Sequence, residues 1–74
     1  MVLNQDWKIV KARQGWIDFT NSSRTKQIIY VRLDGRISQK TLAAFTAASC
    51  DVRNVKEVAI RQASATSAVT AELK

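Results

Sequence analysis

The stretch DGRISQKTLAAFTAAS, residues 34 to 49, decides how this chain is built, because it lies between a first half with the rhythm of strands and a second half of mixed character. Asp34-Gly35 pairs two residue types that tolerate positive φ, and so signals a turn. Beyond it, Ser38 is placed to cap a helix by accepting a free backbone N–H. The spacing of Leu42, Phe45 and Ala48 or Ser49 predicts that helix over about residues 39–49, with a narrow apolar stripe. Phe45 is its expected anchor, packed on Ile17, Phe19, Ile29 and Val31.

Before the turn, apolar and polar residues alternate with the period of two that places neighbouring side chains on opposite faces of a sheet. Trp7 and Ile9 alternate with Lys8 and Val10, and Ile17 and Phe19 with Trp16, Asp18 and Thr20. Lys26 to Leu33 forms a third, β-branched and aromatic run. Gly15 and the polar cluster from Thr20 to Thr25 suit the connections. These features predict a three-stranded antiparallel meander followed by a packed helix, an α+β fold.

Beyond Cys50 two continuations fit. Asn54 and Glu57 have capping-box spacing, and Val55, Val58, Ala59, Gln62, Ala65, Val69 and Leu73 keep a helical period. Residues 57–61 also suit a short strand with Val58 and Ile60 facing inward. The expectation is a C-terminal helix or strand completing one small basic domain over residues 1–74, with about 62–74 frayed. A helix-turn-helix over residues 41–61 is the rival arrangement, although its turn lacks the usual glycine. A sheet of three strands with a helix behind it resembles in architecture the amino-terminal arm-binding domains of phage integrases, which implies a sheet face on DNA. No matching motif carries residues across.

Composition bounds the function. Twelve Lys and Arg against six Asp and Glu leave a net charge of +6, and so basic a domain suggests a polyanionic partner. There is no histidine, Cys50 is the single cysteine, and the carboxylates are scattered. No metal site, cofactor or catalytic constellation is therefore expected, and the chain reads as a binding protein rather than an enzyme. Without a long apolar run, no membrane association is expected and the cytoplasm is the expected location.

In the third strand, alternation places Gln27, Ile29, Val31 and Leu33 on a core face, and Lys26, Ile28, Tyr30 and Arg32 on the other. Lys8 and Trp16 are expected to join that second face, and Arg36 to flank it. The candidate nucleic-acid-binding set is thus Lys8, Trp16, Lys26, Tyr30, Arg32 and Arg36, with duplex DNA as the expected partner of a small accessory or regulatory protein. Cations would meet phosphates while Trp and Tyr make flat contacts. The competing class is a protein-protein interaction module, a small inhibitor or assembly subunit, using the same Trp and Tyr as anchors.

Overall fold

A computed structural model describes all 74 residues. The chain forms seven strands and no helix: β1 (Lys8–Val10), β2 (Trp16–Asn21), β3 (Gln27–Leu33), β4 (Arg36–Leu42), β5 (Ala47–Asp51), β6 (Val58–Gln62) and β7 (Val69–Leu73). They make two antiparallel sheets, one of four strands in the order β1-β6-β3-β4 and one of three in the order β5-β2-β7. The expected α+β fold is therefore overturned in favour of an all-β one. The meander also fails, because β2 lies in a different sheet from β1 and β3. With the helix absent, the resemblance to integrase arm-binding domains and the helix-turn-helix alternative both lapse.

The reversal turns on Asp34-Gly35. Both residues have positive φ, 49° and 86°, the geometry of the tight turn whose twist matches that of the strands it joins. The chain doubles back, and residues 36–42 pair with β3 from Leu33↔Arg36 to Gln27↔Leu42. A helix here would rest on Leu42 and Phe45 alone, too narrow a stripe to stabilise it by packing. Pairing along all of β3 wins instead.

Phe45 ends up 68 % exposed, at the tip of the turn that carries the chain from one sheet to the other. Its φ of 56° is unusual for a bulky residue. The turn is held by the Phe45 N–H on the Ser23 carbonyl at 3.2 Å and by the Thr46 hydroxyl on the Ala43 carbonyl at 2.8 Å. Phe45→Ala should therefore melt within about 0.5 kcal/mol of the parent, as surface substitutions usually do. Thermal denaturation showing a loss as large as a core truncation would contradict this placement.

After Cys50, strand period also prevails. Val58, Ile60 and Gln62 are buried on one face of β6, and Val69 and Ala71 on one face of β7. The expected capping box at Asn54 does not form. Instead the Asp34 carboxylate accepts the N–H groups of Lys56 and Glu57 at 3.1 and 2.9 Å, tying the β3–β4 turn to the segment entering β6.

The core lies between the sheets. Ile17, Phe19, Cys50, Val69 and Ala71 from the three-stranded sheet meet Ile29, Val31, Leu42, Val58 and Ile60 from the four-stranded one. Phe19, on the central strand β2, stands between Ala48 of β5 and Ala71 of β7, and these small neighbours leave room for its ring. At one end of the sandwich, buried Gln62 donates to the Gln27 side-chain carbonyl at 3.0 Å, and Ser64 and Thr66 complete a polar plug. No buried side-chain polar atom lacks a hydrogen bond, as a stable interior requires.

Candidate nucleic-acid interface

No strand packs on the outer face of the four-stranded sheet, although side chains of that face and Trp7 bury Ala59 at its centre. Its side chains are set by strand parity. On β3, burial of Gln27, Ile29 and Val31 turns Ile28, Tyr30 and Arg32 outward. On β6, Val58, Ile60 and Gln62 face the core and Ala59 and Arg61 the opposite side, where Ala59 is nevertheless fully buried. Register then brings Tyr30 opposite Arg61 on one side and Gln39 on the other, and Arg32 opposite Ala59 and Ile37.

On this face, Arg32, Trp7, Arg61 and Tyr30 form a continuous stack. The Arg32 and Arg61 guanidinium carbons lie 4.8 and 5.2 Å from the centre of the Trp7 ring, and Arg61 lies 4.5 Å from that of Tyr30. These distances are within the range of cation–π attraction. The rings thus hold two guanidinium groups near one another, leaving their N–H edges to receive an anion. Glu57, 3.8 Å from Arg32, is the one carboxylate paired with either arginine. Ile9 and Ile37, 70 and 60 % exposed, give the face apolar margins.

Of the six residues expected at the site, the structure brings Tyr30 and Arg32 together in this stack. Trp16 is not with them: it points out from the three-stranded sheet, opposite Asp51. Lys8 falls on the inward parity of β1, in register with Ile60, because Trp7 and Ile9 take the outward positions. Lys26 is exposed just before β3, and Arg36 is exposed at the β3–β4 turn, paired with Leu33.

Sequence reading missed Trp7 and Arg61. The alternation of residues 7–10 has a clear period, but either phase leaves one isoleucine or valine inward, so the pattern alone does not choose. Arg61 was legible in the strand alternative, where Val58 and Ile60 inward put Arg61 outward.

Charge is divided unequally between the layers. The four-stranded sheet with its adjoining turns, residues 4–12, 26–42 and 54–63, carries eight of the twelve basic residues and three acids. The rest of the chain carries four and three, and there Arg53 pairs with Asp51 at 2.8 Å and Lys74 with Asp18 at 3.4 Å. The Ser49 hydroxyl, followed by Lys74, holds the Asp18 carboxyl below its ordinary range, and Arg53 does the same for Asp51. Positive charge is thus largely compensated in one layer and largely free in the other.

Cys50 is buried in the core, and loss of solvation pushes its thiol pKa up, away from the reactive thiolate. No group of three or more His, Cys, Asp or Glu side chains is placed to hold a metal. No protein-family model matches the chain, and no curated protein or solved structure matches it.

Proposed function

We propose that this protein binds nucleic acid as a small accessory or regulatory protein, through the outer face of its four-stranded sheet. The observation that supports this most is the Arg32–Trp7–Arg61–Tyr30 stack, on the layer where basic residues outnumber acids eight to three. Arg61 and Arg32 would meet phosphates, with Lys26 and Arg36 adding contacts around the rim, while Lys8, on the inward parity of β1, takes no part. Trp7 and Tyr30 act by holding the guanidinium groups. Because arginines already lie against their rings, the aromatics serve mainly to support phosphate contact rather than to stack on bases.

Anisotropy titration of a labelled DNA duplex at several salt concentrations tests this. Release of counterions from about four phosphates gives an expected log–log slope of roughly −3 to −4. Arg61→Ala should weaken binding and flatten the slope by about 1. Arg53→Ala, on the other sheet and already paired with Asp51, should change little. Absence of binding, or binding indifferent to salt, overturns the proposal.

Exposed Ile9 and Ile37 favour a second reading, a protein-interaction module with Trp7, Tyr30 and the arginines as anchors, since such residues dominate interface energies. In that case an apolar-to-polar change at Ile37 would weaken partner binding while salt would matter little.

A further inference from the structure

The two sides of the sandwich are finished differently. On one side the N-terminal segment runs along β7 and then β6: Val2 bridges Thr70, the Leu3 N–H donates to the Val69 carbonyl at 2.9 Å, and the Gln62 N–H donates to the Asn4 carbonyl at 2.8 Å. The edge strand beside β6 is β1, only three residues long. On the other side β4, seven residues long, has β3 as its single neighbour.

Hairpin geometry determines which backbone groups of β4 are free. A two-residue turn is closed by a pair that exchanges both hydrogen bonds, here Leu33 and Arg36, and such pairs alternate along an antiparallel ladder. Arg36, Ser38, Lys40 and Leu42 therefore bond to β3, while Ile37, Gln39 and Thr41 turn their N–H and C=O groups away from it. The far side of β3 shows the same parity, because there the Ile28 carbonyl accepts the Ala63 N–H at 2.9 Å.

The side chains on this edge select an occupant. Arg36 and Lys40 share one face of β4, four residues apart, and neither is in an ion pair. Ile37, on the opposite face, is largely exposed. Pairing with a second copy would bring like charges together, which basic residues on edge strands are well suited to prevent. An acidic strand meets no such barrier.

The geometry points to β4 as a docking edge for an extended acidic segment of a partner protein, added as a further strand beside Ile37, Gln39 and Thr41. Main-chain hydrogen bonds to those three residues supply the attachment. Carboxylates four residues apart meet Arg36 and Lys40, and an apolar residue on the other face packs on Ile37. The edge uses none of the stacked residues Trp7, Tyr30 and Arg61 and shares only Arg36 with the proposed nucleic-acid contacts, so strand addition at Ile37, Gln39 and Thr41 is read separately from nucleic-acid binding.

The test is titration of isotope-labelled protein with a capped nine-residue peptide of Val and Thr in which Glu recurs every fourth residue. A second peptide carries Lys in place of Glu. The acidic peptide is expected to shift the amide signals of Ile37, Gln39 and Thr41 and to slow their exchange with solvent about tenfold or more. The Lys peptide should bind roughly tenfold more weakly or worse. N-methylation of the acidic peptide at the residues whose N–H groups face β4 should abolish binding without any change to the protein. Gln39→Pro should do the same while preserving the fold, since that N–H is not used in the ladder with β3. Equal binding of the two peptides, undiminished binding after N-methylation, shifts centred on Trp7 and Arg61, or no shift at about 1 mM peptide would each overturn the proposal.

Discussion

Phe19→Ala should unfold much of this protein. Phe19 is the largest fully buried side chain, at the middle of the central strand of its sheet, with Ala48 and Ala71 as its cross-strand neighbours. Truncation would leave three alanines in a row facing the opposite sheet. Loss of a buried aromatic of this kind costs about 3 to 5 kcal/mol. A chain of 74 residues is expected to have only about 4 to 11 kcal/mol of total stability. The midpoint of thermal unfolding should fall by roughly 15 °C or more. A drop of only a few degrees in a circular-dichroism melt would show that the sheets do not pack around this ring.

Asn21→Asp should be the next most damaging change, although it alters no volume. The Asn21 side chain is fully buried, and its amide group lies 2.9 Å from the Thr25 carbonyl and 3.1 Å from those of Leu42 and Ala43. Its own oxygen accepts the N–H and hydroxyl of Ser23 at 3.0 and 2.7 Å. This one side chain therefore joins the β2–β3 turn to the crossing from β4 to β5. An aspartate would set an oxygen against three carbonyl oxygens, and unsatisfied buried groups cost about 1 to 3 kcal/mol each, more when charged. Since the fold would resist ionisation, the folded-state pKa of the new carboxyl should be raised. The destabilisation should then be greatest above that raised value and diminish as pH falls and the carboxyl becomes neutral. Urea melts at neutral and acidic pH, compared with the parent, measure this. A deficit that persists unchanged in acid would contradict the arrangement of carbonyls.

These two predictions contrast with the near-silence expected of Phe45→Ala. By residue type, Phe45 and Phe19 are equally good core candidates. Phe19 belongs to an alternating strand whose neighbours confirm its inward phase, whereas Phe45 lies in a short turn between sheets, where side-chain direction follows from the crossing of the chain.

Local pattern determined several features here: the positions of β2 and β3, the inward faces carrying Ile17, Phe19, Ile29 and Val31, the turn at Asp34-Gly35, and an excess of positive charge. Each depends on residues near one another in sequence, through period-two alternation, the φ preferences of Asp and Gly, or simple counting. Tertiary structure alone decided the rest. Residues 36–42 became a strand because β3 was available as a partner along their whole length, an advantage that no helical stripe of Leu42 and Phe45 could match. The phase of β1, and with it the outward placement of Trp7, was settled by pairing with β6, about fifty residues away in the chain. The stack of Arg32, Trp7, Arg61 and Tyr30 draws on three separated segments, and Trp16 was carried to the opposite layer when β2 paired with β5 and β7. Alternation specifies that a strand has two faces, but which sheet it joins and which face meets the core depend on long-range pairing and on the burial that such pairing makes possible.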